Sequence, residues 1–161
     1  MNKIFNVRQI VLGALIAAIY FVLTVAIAPL SYGIMQIRFS EALTVLPFFF
    51  PGAIPGLFIG CLLANIMNGN ILDIIFGSLA TLLAAFTTYK IKNKYLAPLP
   101  PIIFNAVIVG AVLTYIFTGT PDEAPFYFIA LSVGFGELIA CYALGLPLLL
   151  LLEKFRDKLK L

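Results

Sequence analysis

Two opposite charges, Arg38 and Glu41, lie three residues apart at the mouth of an otherwise apolar run that extends to Pro47. An ionisable residue inside a hydrophobic segment costs roughly 2.5 to 3.5 kcal/mol on insertion scales unless it is paired or faces water, so such residues mark functional sites by default. Arg38 could instead snorkel from a helix end, with Glu41 as a convenient i,i+3 partner. We expect Arg38 to pair with Glu41 or with a ligand.

Amide and carboxylate side chains form a second polar group further along the chain. Asn65, Asn68 and Asp73 fall within about two helical turns of one another, with Gly69 and Asn70 between them. Such side chains can bind the donors and acceptors of a ligand. They are also ordinary capping residues at helix ends, and the sequence leaves both interpretations open.

Glu137 is the third feature, since it lies inside a long apolar run between Gly136 and Leu138. It is about eleven residues, or roughly 16 Å, from the start of the last predicted helix, which places it close to mid-membrane. An uncompensated carboxylate there would be protonated or paired. Gly134 and Gly136 allow a ligand or a neighbouring helix to approach closely, so an interhelical hydrogen bond is the alternative to a binding role.

These residues share a predicted position in the outer half of a helical bundle and could together bind a flat, polar, partly cationic ligand. The candidate ligand-binding residues are Gln36, Arg38, Glu41, Asn65, Asn68, Asp73, Tyr127 and Glu137, with Tyr32 as a further aromatic candidate. The chain has no histidine and no GxxxxGK[ST] loop, so neither a catalytic triad nor ATP use by this chain is indicated. We expect no cofactor and no metal, and we interpret Cys61 and Cys141 as small core residues.

The composition identifies the class of protein. Of 161 residues, 63% are hydrophobic and 11% charged, and the mean hydropathy is +1.12. Because soluble proteins are about 45 to 50% apolar, we predict an all-α integral membrane protein, a six-transmembrane-helix bundle in one domain over residues 1–161. The predicted helices are Arg8–Ala28 (ending at Pro29), one from Phe39 interrupted by Pro47 and Pro51, one carrying Gly52 to Asn68, Ile71–Tyr89, Pro101–Phe117 and Phe126–Leu152.

Small residues predict where helices approach each other. Gly52, Gly56, Gly60 and Ala64 recur every four residues and would form a smooth groove on the third helix. The first helix carries a cluster of its own: Gly13, Ala14, Ala17 and Ala18. Residues 30–37, which are too apolar for a plain solvent loop, are predicted to fold over the site as a lid.

Lysine and arginine predict the orientation. They are concentrated at the N-terminus, in the Lys90–Lys94 loop and in the C-terminal tail, which the positive-inside rule places in the cytoplasm. Both termini are therefore expected in the cytoplasm of a multi-pass bacterial plasma membrane protein. The lid, the Asn68 to Asn70 turn and the acidic 119–125 loop would lie outside.

The run Arg38-Phe39-Ser40-Glu41-Ala42-Leu43-Thr44-Val45-Leu46-Pro47, with Pro55-Gly56-Leu57-Phe58-Ile59-Gly60-Cys61-Leu62-Leu63-Ala64-Asn65 after it, resembles the QueT family. These are substrate-binding S components of energy-coupling factor transporters. The resemblance implies capture of a queuosine precursor, 7-aminomethyl-7-deazaguanine, outside the cell. It also implies a transmembrane coupling protein and two ATPase subunits as partners, docked through an AxxxA motif that matches Ala14 and Ala18.

Other function classes fit parts of the sequence. A small intramembrane enzyme acting on a lipid or prenyl group would need an acid, base or metal pair near water, and no metal spacing supports one. A scaffold would leave the polar residues unexplained. A stand-alone proton-coupled carrier could use Glu137, although the two halves of the chain show no convincing repeat. Nothing indicates binding of nucleic acid.

Overall fold

The computed structural model describes residues 7–31, 37–119 and 123–155, and within these ranges the chain is helical without a strand. The all-α prediction is confirmed for this part of the chain. The helical segments within these ranges fall into six successive runs.

The first run contains two helices, α1 (Val7–Ala26) and the short α2 (Ala28–Ser31). As predicted, the first helix ends before Pro29: α1 stops at Ala26, two residues before the predicted end, and a separate helical turn, α2, then includes Pro29. Pro29 lies in the first turn of α2, where a backbone N–H would have no intrahelical partner, so proline is tolerated there.

The second run is a 3₁₀ helix, Phe39–Phe48, with Pro47 near its end. Its short length agrees with the predicted interruption at Pro47. Helix α3 (Ala53–Asn68) follows after a turn at Pro51, and it ends at Gly69, whose φ of 80° is the left-handed conformation that glycine adopts easily.

Three π-helical segments interrupt the later helices, which the sequence predicted as uniform. These segments are Asp73–Gly77, Asn105–Val109 and Ile139–Gly145. The α-helices around them are α4 (Ser78–Lys90), α5 (Leu99–Phe104), α6 (Gly110–Thr118), α7 (Glu123–Leu138) and α8 (Leu146–Lys154). A short 3₁₀ turn, Lys94–Leu96, precedes α5.

Helices α1 and α3 pack against each other through glycine, as the small-residue pattern predicts. A Cβ on Gly13 would lie 2.7 Å from the Gly52 carbonyl oxygen, and one on Gly60 would lie 2.8 Å from that of Ala17. Since these distances are shorter than van der Waals contact, only glycine permits this approach of the two backbones.

Buried apolar side chains from several runs hold the bundle together. The largest cluster joins α1, the 3₁₀ helix, α3 and α4, and it includes Tyr20, Leu57 and Cys61. Cys61 and Cys141 are both buried free thiols, in agreement with their interpretation as core residues.

Large apolar side chains also cover the outside, where Phe128 and Leu131 are 73% and 75% exposed. Among the described residues, three helices are long and apolar enough to cross a membrane: Val7–Ala26, Lys94–Thr118 and Pro125–Lys154.

Candidate ligand-binding site

Four charged side chains are buried in the interior of the part of the bundle that the structure describes. Arg38, Glu41, Asp73 and Glu137 are each at most 2% exposed. Burying a charge is unfavourable unless it is paired and hydrogen-bonded, so the partners of these groups define what the interior can bind.

Arg38 forms its ion pair with Asp73 rather than with Glu41, the partner that the sequence suggested. Its guanidinium Nη2 lies 3.1 Å from Asp73 Oδ2, and Nε donates to the Ser31 carbonyl oxygen over 3.0 Å. Arg38 precedes the 3₁₀ helix in an extended conformation (φ −93°, ψ 101°), whereas Glu41 is inside it. The i,i+3 spacing therefore does not place them on one helical face.

Glu41 instead accepts a hydrogen bond from the Tyr20 hydroxyl through Oε1. Tyr20 is fully buried on the face of α1 that carries Ile16 and Ala17. Tyr20 was not among the site residues predicted from the sequence. The sequence did contain a feature that could have identified Tyr20, because a single phenol in an apolar helix needs a polar partner when it faces the interior.

Asn65 links α3 to the segment that carries Asp73. Its Nδ2 donates to the Asp73 carbonyl oxygen over 3.0 Å and lies 3.3 Å from Ser78 Oγ. Gly77 leaves room for the carboxylate, since a Cβ there would lie 2.5 Å from Asp73 Oδ1. The capping interpretation does not account for the Asn65 side chain, which points into the bundle.

Glu137 is paired with Asn105, which donates from Nδ2 to Glu137 Oε1 over 2.8 Å. The Cys141 thiol lies 3.7 Å from Glu137 Oε2 and 3.6 Å from the Glu41 carbonyl oxygen, so it connects the two glutamate segments. Asn105 falls near the start of the predicted helix Pro101–Phe117 and was not among the site residues predicted from the sequence.

The π-helical segments coincide with these polar residues. Asp73 and Asn105 each begin such a segment, and Cys141 lies within the third. A π-helical turn is rare in proteins as a whole but frequent at functional sites. Here the three segments carry the buried polar residues Asp73 and Asn105 and the buried Cys141.

Four buried oxygen atoms lack a hydrogen-bond partner among the described residues. They are Ser31 Oγ, Glu41 Oε2, Asn65 Oδ1 and Asp73 Oδ1. Asn65 Oδ1 is an amide oxygen, which accepts hydrogen bonds and cannot donate them. Glu41 Oε2 and Asp73 Oδ1 are likewise acceptors only, when their carboxylates are ionised. A buried acceptor without a donor is unfavourable by about 1 to 3 kcal/mol, so these atoms favour a ligand rich in N–H donors.

The structure thus brings together Arg38, Glu41, Asn65, Asp73 and Glu137, and it separates two other candidates from them. Asn68 is exposed at the end of α3, and Tyr127 is 62% exposed on α7. Tyr32 and Gln36, with most of the predicted lid, lie outside the described residues.

The two alanines predicted to contact a partner lie on a different surface. Ala14 and Ala18 are exposed and line an apolar groove of about 770 Å³ between α1 and α3. Gly13 and Ala17, on the neighbouring face of α1, are buried against α3.

Comparison with known proteins gives two findings. The model of a family described as QueT transporter matches residues 10–154. A queuosine precursor transporter, QueT, of Lactococcus lactis subsp. cremoris (strain MG1363) is 38% identical over 76 residues, which are 46% of this chain and 45% of that protein. The match thus spans less than half of the relative's length. No solved structure matches the chain.

Proposed function

Because the chain belongs to the QueT transporter family, we propose that it captures a queuosine precursor, 7-aminomethyl-7-deazaguanine, as the S component of an energy-coupling factor importer. The unpartnered buried oxygens carry this proposal. A guanine-like ring presents N–H donors along one edge, and its aminomethyl group is a cation at neutral pH, as primary amines are. Acceptor oxygens and carboxylates supply the partners that both groups need.

The charge balance of the interior supports a cationic ligand. Among the described residues, three buried carboxylates, of Glu41, Asp73 and Glu137, accompany one buried cation, Arg38. Two negative charges remain if all three are ionised, and a ligand ammonium would compensate one of them. The enzyme hypothesis is set aside because the family is described as transporters.

We place the protein in the bacterial plasma membrane with six spans and both termini in the cytoplasm. Lys94 Nζ lies 2.7 Å from Glu153 Oε2, which supports one common side for the basic loop and the end of α8. Asp73 and Glu137 are each 17 residues from the basic ends at Lys90 and Lys154. That separation is roughly 25 Å, and Glu137 is roughly 16 Å from the outer start of its helix, so in a hydrocarbon core about 30 Å thick the site lies between the midplane and the outer side.

The described residues bury the polar groups almost completely, so a ligand must separate part of this network to reach them. We propose that Arg38, Glu41, Asn65, Asp73 and Glu137 surround the ligand. Gln36 remains a candidate on sequence grounds. Asn68 and Tyr127 are peripheral candidates only, because both are exposed.

The partners in this proposal are a transmembrane coupling protein and two ATPases, with Ala14 and Ala18 as the contact. The exposed apolar groove beside these alanines supports a docking role. A stand-alone proton-coupled carrier is the second candidate, which the two uncompensated carboxylates favour. Copurification separates the two hypotheses, since a coupled subunit brings its partners with it and a carrier transports alone.

The direct test is binding by the purified protein. We expect 7-aminomethyl-7-deazaguanine to be retained through purification, where mass spectrometry identifies it, and to bind more tightly than guanine. A ligand without the amine leaves a buried carboxylate unpaired. Equal affinity for both compounds would refute the role of the carboxylates.

A further inference from the structure

The buried acceptors of the carboxylate and amide side chains fall into two groups, which differ in their partners. Asn65 Oδ1 and Asp73 Oδ1 belong to two residues that are already connected, because the Asn65 side-chain amide donates to the Asp73 backbone carbonyl. The negative charge of Asp73 is compensated by Arg38 at 3.1 Å. This group therefore offers neutralised acceptors, which suit uncharged N–H donors.

Glu41 and Glu137 form the other group, and their surroundings differ. Glu41 receives the Tyr20 hydroxyl and Glu137 receives the Asn105 amide, both neutral donors. The two segments meet at the Cys141 thiol, which is within 3.7 Å of each. Glu41 Oε2 has no hydrogen-bond partner among the described residues, although it is completely buried.

Two ionised carboxylates that are buried in one apolar interior, on segments that contact the same thiol, are unfavourable unless a cation or a proton compensates them. Arg38, whose guanidinium lies 3.1 Å from Asp73, is the only buried cation in the described part of the chain, and its single charge can balance only one of the three buried carboxylates. A small ammonium with three N–H donors matches this need in charge and in hydrogen bonding.

We propose that Glu41 and Glu137 form the subsite for the ligand's primary ammonium, whereas Asp73 and Asn65 bind the N–H edge of its ring. This assignment rests on the proposed function. It predicts that one part of the binding free energy depends on the aminomethyl group and that the other part depends on the ring alone.

The test uses two probes, 7-aminomethyl-7-deazaguanine and 7-deazaguanine, with the purified full-length chain in detergent. Glu137→Gln and Glu41→Gln keep the side-chain size and remove one charge. Each variant should lower the affinity for the aminomethyl probe at least 10-fold, which corresponds to about 1.4 kcal/mol. Each should change the affinity for 7-deazaguanine by no more than about threefold. Asn65→Leu should weaken both probes by similar factors.

Glu153→Gln is the matched control, because it makes the same chemical change in a carboxylate that is paired with Lys94 away from the buried cluster. It should leave both affinities unchanged. If Glu137→Gln lowered the affinity for both probes equally, the assignment would be wrong. It would also be wrong if Asn65→Leu lowered the affinity for the aminomethyl probe alone.

The unaltered protein gives a measurement that does not depend on how the variants fold. It should prefer the aminomethyl probe at least 10-fold, and this preference should persist when sodium replaces choline at equal ionic strength. Loss of the preference in sodium would mean that an inorganic cation occupies the two carboxylates, and the assignment would be wrong. Binding of neither probe would instead refute the proposed function, together with this assignment.

Discussion

Helix α1 has two small-residue faces, and the same added side chain should have opposite consequences on them. A Cβ at Gly13 would lie 2.7 Å from the Gly52 carbonyl oxygen, which is fixed in the backbone of the neighbouring chain segment. Ala14 and Ala18 are exposed and face a groove of about 770 Å³. A leucine therefore has room at the alanines and none at Gly13.

The expected magnitudes follow from these contacts. Ala14→Leu and Ala18→Leu should each change the free energy of unfolding by less than about 0.5 kcal/mol, as exposed substitutions do. Gly13→Leu should cost about 3 kcal/mol, the upper end for overpacking, because a backbone atom obstructs the side chain. Leucine has a better helix propensity than glycine, which offsets about 1 kcal/mol of this cost. The net loss of about 2 kcal/mol should lower the melting temperature by roughly 4 to 8 °C.

The functional consequence separates docking from binding. Ala14→Leu with Ala18→Leu should bind ligand with near-normal affinity in detergent, lose the coupling protein on copurification and support no uptake in cells. The added bulk would hold the partner helix away. If the double variant loses ligand binding and still copurifies with its partner, α1 faces the ligand and the assignment of its faces is wrong. An unchanged melting temperature for Gly13→Leu would refute the packing of α1 on α3.

Three further predictions concern individual contacts, each measured by thermal unfolding in detergent. Arg38→Gln or Asp73→Asn alone should destabilise the protein by about 3 to 5 kcal/mol, whereas the double variant should lose less than the sum, because the two groups compensate each other; additive losses would contradict the pair. Tyr20→Phe should cost about 1 to 3 kcal/mol because Glu41 loses its hydroxyl donor, and a neutral result would argue against this hydrogen bond. Lys94→Ala should leave the melting temperature unchanged, because its ion pair is exposed, and a marked fall would contradict that expectation.

Several features could be predicted because they depend on composition and local pattern alone. A chain with 63% hydrophobic residues has few ways to place a charge, so its charged and amide residues are conspicuous: Arg38, Glu41, Asn65, Asp73 and Glu137. These five are buried in the bundle, as polar groups in an apolar helical protein are expected to be, whereas Asn68 and Tyr127 of the same predicted set are exposed. That they bind ligand stays a prediction.

The partners of these residues could not be predicted, because they come from distant segments. Arg38 pairs with Asp73, 35 residues away, rather than with Glu41 at i+3. Glu137 pairs with Asn105, 32 residues earlier. Sequence spacing reports neighbours on one helix, whereas a buried charge selects whichever partner the packing of several helices brings within reach.

The amino-acid sequence by itself determined the helical class, the close-packed glycine face of α3 and the polar side chains that must be satisfied in the interior. Only the tertiary structure decided which of them meet. The physical reason is helical phase: each residue turns an α-helix by about 100°, and a π-helical turn inserts one extra residue. The insertions at Asp73, Asn105 and Ile139 therefore reorient every later side chain in their helices, and it is tertiary packing that stabilises them there.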